Sequence, residues 1–242
     1  MTHFEEIRLK GFTSGDGSKL NDNDYIYIDA LYQAMEMVEQ RYLVDNSPSA
    51  NAENEVIESS YNSRLVSKMN LFLNENPNYN PYGLDCVGPE KKGIYRMNEE
   101  SQMNIKYPDI VLHKGNSPLD GFQEIVCEIK RKSHLGSEEM ICDLNKLLYF
   151  ISSITWGNPY RVGAFIVYNC TKAQLESKVK GFHDGPITIE SLIIGEENRI
   201  MSFSKFVSLY QEGLKNLLCF CHSDENRVEL CRVYDIIQSK II

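Results

Sequence analysis

Residues 107–130 read YPDIVLHKGNSPLDGFQEIVCEIK, and their interpretation decides the fold. Two apolar stretches, 107–113 and 122–130, have the Ile/Val enrichment and length of β-strands. Residues 114–121 between them contain Gly, Asn, Ser, Pro and Asp, the composition of a hairpin loop. Side chains alternate along a strand, so Ile125, Cys127 and Ile129 share one face and Val126, Glu128 and Lys130 the other. Glu128 and Lys130 therefore project the same way, with Cα atoms about 6–7 Å apart. With the turn centred between Ser117 and Pro118, Asp109 falls opposite Val126 and diagonal to Glu128. Both carboxylates and the ammonium then share a face, whereas a one-residue slip would send Asp109 to the other side.

Two carboxylates converging on one point make a hard oxygen site suited to Mg²⁺ or Mn²⁺. Such an ion polarises phosphoryl oxygens and lowers the pKa of a bound water. A lysine beside it orients that water and meets the charge that grows on phosphorus. A bare E-x-K in a strand is more often a solvated pair. Here Pro-Asp opens one apolar strand and the E-x-K ends the next.

Upstream, apolar residues recur at helical spacing over 24–44, with Asp24 as the candidate cap, and over 55–74. Residues 45–54 read as a loop. Short strands are expected at 83–87 and 93–97. Downstream, a helix is expected over 137–153. Residues 162–168 (VGAFIVY) form an unbroken apolar run, the pattern of a central strand buried on both faces. A helix over 172–180, a strand over 187–194 and helices over 203–218 and 225–239 complete the chain. The expected fold class is α/β: a mixed central sheet flanked by helices, in one domain spanning 1–242. Its core covers 53–170, with an N-terminal helical extension (1–52) and a C-terminal strand and helices (171–242).

The formal net charge of -9 opposes a general affinity for phosphate backbones, so nucleic-acid binding needs a local basic patch. Lys91, Lys92, Arg96, Lys130, Arg131, Lys132 and Arg161 supply one if the fold gathers them, and are solvated charges otherwise. Seven cysteines and no secretory signal fit a reducing cytoplasm. No apolar run approaches the roughly 20 residues that span a bilayer. Gly15-Asp16-Gly17-Ser18-Lys19 departs from phosphate-loop spacing and reads as a surface turn. Cys219-Phe220-Cys221-His222 lacks the second ligand pair of a zinc site and reads as buried cysteines at a helix end.

Pro108-Asp109 followed by Glu128-Ile129-Lys130 resembles the PD-(D/E)xK nuclease superfamily. Within it, YPDIVLHKG and IVCEIKRK are similar to a little-characterised bacterial branch over about residues 53–170. The resemblance implies a restriction-endonuclease-like fold and metal-dependent cleavage of nucleic acid, DNA before RNA, with Asp109 and Glu128 on the metal and Lys130 positioning water. It implies one further acid from a helix before the sheet, matched by Glu58 with Glu55 as rival. A D-x-x-K pair in similar proteins points to Lys146 as a phosphate contact, although Asp143 and Lys146 at i,i+3 equally make an ordinary surface ion pair. Arg131 and Lys132 join it as candidate nucleic-acid contacts from the basic cluster. Cys86-Val87-Gly88-Pro89-Glu90 departs from the branch's C-E-Y-N-R-like stretch. The alternative is an inactive nuclease-fold binding or assembly protein of a bacterial defence system. A homodimer is open to either.

Overall fold

The computed structural model describes residues 12–14, 18–43, 58–89, 92–95, 103–114, 123–152, 159–192 and 196–240. In chain order, α1 (Asp22–Glu36) and α2 (Glu58–Glu75) precede β1 (Asp85–Val87), β2 (Lys92–Tyr95), β3 (Met103–Lys106), β4 (Ile110–His113) and β5 (Gln123–Arg131). There follow α3 (Ser137–Phe150), β6 (Val162–Tyr168), α4 (Lys172–Lys180), β7 (Ile187–Ile189), β8 (Arg199–Met201), α5 (Phe203–Leu209) and α6 (Gln211–Lys215). The order closes with β9 (Leu217–His222), β10 (Val228–Arg232) and α7 (Val233–Ile237). The rival acid Glu55 and the loops at 45–54 and 115–121 lie outside the described residues, as do Lys91 and Arg96.

A six-stranded mixed sheet runs in the order β1-β4-β5-β6-β9-β10. β5, β6 and β9 are parallel neighbours, while β1, β4 and β10 pair antiparallel with theirs. Because β6 has strands on both sides and helices on both faces, all of its residues are buried, as its unbroken apolar sequence requires.

Each face of the sheet has its own core. On one side α1 and α2 cover Ile110, Leu112, Ile125, Cys127 and Ile129. On the other, α3 to α7 cover Val111, Val126, Phe165 and Val167. In α2, Tyr61, Leu65, Met69 and Leu73 recur every four residues and are the face it buries. α1 begins with a capping box: the Asn21 side chain accepts from the backbone of Asn23 and Asp24, and the Asp24 carboxylate accepts from the Asn21 N–H. Asn21, not Asp24, is the cap, which frees the rest of the Asp24 carboxylate for a tertiary partner.

The chain departs most from its expected form after residue 202. The helix expected over 203–218 ends at Lys215, and Leu217 enters the sheet beside β6. The helix expected over 225–239 is β10 followed by the short α7. A short apolar run such as LLCFCH satisfies helix and strand patterns alike, and only sheet pairing decides between them. Asn226 (φ 59°) makes the turn that sends β10 back along β9. Cys219 and Cys221 therefore sit inside a buried strand, not at a helix end. His222 at its end is fully buried, with Nδ1 2.8 Å from the Tyr61 hydroxyl and Nε2 2.8 Å from Asn226 Oδ1. Burial holds its imidazole neutral, lowering its pKa to about 4.

Close packing leaves Gly163 of β6 no room for a side chain. A Cβ there would meet Leu217 Cδ2 at 2.6 Å and Ile151 Cγ2 at 3.0 Å. Gly163→Ala is therefore expected to cost about 1–3 kcal/mol through overpacking. It should be read as a lower urea midpoint with an unchanged slope.

Candidate functional site

β4 and β5 pair with Ile110 opposite Cys127 and Val111 opposite Val126. That register places Asp109 across from Glu128, two residues from the expected pairing. Because side chains alternate with period two, a two-residue shift preserves the face, and Asp109, Glu128 and Lys130 project together. Pro108 has no N–H to continue the ladder, and the Asp109 carboxylate takes over where β4 begins. Its Oδ2 accepts from the Ile129 N–H at 2.8 Å, while the Asp109 N–H donates to the Cys127 carbonyl at 3.1 Å.

Glu58, the first residue of α2, joins from the helical layer on the other face; its Oε1 lies 3.5 Å from Lys130 Nζ. From α3 come Asp143 and Lys146. Asp143 Oδ2 lies 3.3 Å from Lys130 Nζ, and its Oδ1 lies 2.9 Å from Lys146 Nζ. Lys146 Nζ also lies 2.5 Å from Glu128 Oε2. The spacing of Asp143 and Lys146 fits a surface ion pair, yet Asp143 is only 4% exposed. It ties both lysines to the cluster.

Four acids, Glu58, Asp109, Glu128 and Asp143, thus face two ammonium groups. Glu128 is the most enclosed, its side chain 1% exposed, and its Oε1 is buried without a hydrogen-bond partner. Burial pushes its carboxyl well above the ordinary range, against the pull of Lys146. Burial likewise raises Glu58 and Asp109 despite Lys130 nearby. For the lysines burial works downward, but the surrounding acids outweigh it and raise both. Lys130 and Lys146 therefore remain charged donors and cannot serve as bases near neutrality.

Among the described residues no three His, Cys, Asp or Glu groups converge closely enough to hold a metal ion. Lysine ammonium groups stand between the acids instead. The donor chemistry nevertheless fits a hard dication: oxygen ligands only, more acids than ammonium groups, and the buried Glu128 Oε1 without a hydrogen-bond partner.

The expected nucleic-acid contacts separate. Lys132 reaches Gln174 Oε1 at 3.2 Å and Lys146 belongs to the cluster. Arg131 is only 7% exposed, so it offers solvent little of its guanidinium. Arg161 lies at the opposite end of β6, forked onto Asp24 at 2.5 and 2.8 Å. It takes no part in a basic rim around the cluster.

Arg161 marks a second polar group that the alternation of β5 does not predict. A β-bulge between Leu112 and His113 leaves Glu124 without a cross-strand partner and re-aims it toward α1. Glu124 is 5% exposed and lies against Asp24, Arg161 and Tyr27. Burial first and Asp24 second raise its pKa to about 7. In the unfolded chain Glu124 ionises near pH 4.5, whereas in the fold it holds its proton to about 7. The folded state thus binds the extra proton, and stability falls as pH rises between those values. Glu124→Gln should be the more stable chain at pH 8, by about 2–3 kcal/mol, with the difference shrinking as pH falls toward 4.5. Urea unfolding of both chains at several pH values measures it.

Among the described residues no helix is long and apolar enough to cross a membrane. No protein-family model, no curated protein and no solved structure matches this chain.

Proposed function

We propose that this chain is a Mg²⁺- or Mn²⁺-dependent phosphodiester hydrolase with a restriction-endonuclease-like core, acting on nucleic acid and on DNA first. The observation that carries the reading is the enclosed Glu128, with an unsatisfied oxygen, flanked across the ladder by Asp109 and two residues on by Lys130. A dication bound there supplies Lewis-acid polarisation of the phosphate and a water of lowered pKa. Glu128 and Asp109 are the residues to hold it, with Glu58 assisting from α2. Lys130 keeps its proton, so its part is to donate: it orients the attacking water and meets negative charge on the phosphoryl oxygens. Asp143 fixes Lys130 and Lys146 so that neither must be ordered at the moment of reaction.

The lysine–carboxylate pairing favours a second reading, in which the cluster is neutralised from within and the chain binds nucleic acid or a partner without turnover. Incubation with plasmid, single-stranded DNA and RNA in Mg²⁺ or Mn²⁺ separates the two. Cleavage abolished by chelator supports the hydrolase; intact substrates under all conditions would overturn it.

A further inference from the structure

Beside α3 a cavity of about 280 Å³ opens between Asn145, Leu148, Tyr149, Ser152, Arg199 and Tyr210. We infer that this cavity receives one unpaired nucleobase of the substrate strand, stacked on the tyrosine rings and met at its edge by Asn145 and Arg199. The inference rests on the nuclease reading and extends it to the substrate's form: a strand with an unpaired base near the cleaved phosphate.

The first support is position. Tyr149 follows Lys146 by three residues on α3, so the two are surface neighbours, with Cβ atoms about 5–6 Å apart. Lys146 is bound to Glu128. The cavity therefore begins within one helical turn of the acid–lysine cluster. A strand whose phosphate lies at the cluster can turn the base of a flanking nucleotide into it.

The second is chemistry. Bases of any sequence stack on aromatic rings, and guanidinium groups reinforce the stacking. Tyr210 is braced from behind by Phe206, with ring centroids 4.8 Å apart, and its hydroxyl accepts from Arg199 Nη1 at 3.0 Å. The Tyr149 phenol is raised by burial and by Tyr210 beside it, which puts both phenols in one environment. Asn145 is 4% exposed and donates from Nδ2 to the Glu190 carbonyl at 3.2 Å. Its carboxamide oxygen is an acceptor for an exocyclic amino group and its second N–H a donor. Leu148 closes the floor against Gly213, where a Cβ would meet its Cδ2 at 2.7 Å.

The third is size and shape. A single heterocycle fits the volume, and a base pair in a duplex does not, so the base must be unstacked to enter.

The test uses single-stranded oligonucleotides carrying 2-aminopurine, in EDTA so that nothing is cleaved. Wild type should quench the probe and bind single strands more tightly than the matched duplex. Tyr210→Ala and Arg199→Ala should each weaken single-strand binding, about tenfold for the tyrosine. Tyr210→Phe should retain the quenching, which separates stacking from a folding defect. Adenosine monophosphate in excess should compete if the pocket reads the base alone, and failure to compete assigns the affinity to the polymer. Equal binding of duplex and single strand, with Tyr210→Ala and Arg199→Ala unchanged, overturns the inference. The outcome is separable from that for the nuclease itself. Cleavage in Mg²⁺ that is indifferent to Tyr210→Ala keeps the nuclease and removes the pocket. Base binding without cleavage does the reverse.

Discussion

Lys130→Ala is expected to lower metal-dependent cleavage by about 10²–10³-fold, the usual effect of removing one preorganised donor at a charge that develops in the transition state. The side chain stands among three acids, Glu58, Asp109 and Asp143, which raise its pKa although burial opposes them. Its proton is therefore retained, and the loss should be of charge stabilisation rather than of a base. The pH–rate profile of the residual activity should keep its shape, and kcat should fall in step with kcat/KM while KM stays constant. Stability should change far less. Glu58 is partly exposed and Asp143 retains Lys146, so uncovering them costs about 1 kcal/mol. Lys130→Arg should restore little, because a planar fork does not replace a compact ammonium between acids placed on opposite sides of it. Wild-type cleavage rates in Lys130→Ala would remove this cluster from the chemistry.

What made Lys130 visible in the sequence was parity. The alternation of Val126, Glu128 and Lys130 fixes their common face whatever the turn does, and Asp109 joined them through a register two residues from the expected one. Alternation tolerates an even shift, which is why the cluster survived an incorrect hairpin centre. Glu58 was reachable only by resemblance, because a helix-border glutamate carries no local sign of what it faces. Asp143 and Lys146 are ambiguous in the sequence for a related reason. Their i,i+3 spacing is common to surface pairs and buried ones, and only the packing of α3 against β5 distinguishes them. Glu124 is hidden for the opposite reason. Strict alternation places it with Glu128, but the bulge reverses it toward Asp24 and Arg161, and no turn residue announces that bulge. The strand pair β9–β10 was hidden because its partners lie in β6 and in a turn set by Asn226, far from any periodicity that LLCFCH displays by itself.

Lys146→Met should be the costliest single change at the cluster, about 3–5 kcal/mol at pH 8, because it strands a buried carboxylate without its counter-charge. Lys146 Nζ lies 2.5 Å from Glu128 Oε2 and 2.9 Å from Asp143 Oδ1, and the Glu128 side chain is 1% exposed. Methionine keeps the volume of the stem, so the loss reports charge and not a cavity. The stranded Glu128 has one escape, which is to take a proton. Burial already holds its folded-state pKa above the unfolded one, so the folded chain binds that proton first and the penalty should shrink as pH falls toward 5. Glu128→Gln combined with Lys146→Met should recover most of the loss, since a neutral amide needs no counter-charge; a double-mutant cycle measures the coupling. Divalent cation offers the second escape. If Glu128 and Asp109 hold a metal, Mg²⁺ should stabilise Lys146→Met more than wild type, where the ammonium competes for the same oxygen. A ligand at about 100 times its Kd contributes about 2.7 kcal/mol, enough to read as a shift of several degrees in thermal unfolding. Two results would sink this account: Lys146→Met as stable as wild type at pH 8, or a loss that neither acid, nor Mg²⁺, nor Glu128→Gln relieves. The first would mean that Glu128 is already protonated in the fold and needs no partner. The second would mean that the loss does not come from an uncompensated Glu128 charge, and the cluster would then have no vacant charge for a metal to answer.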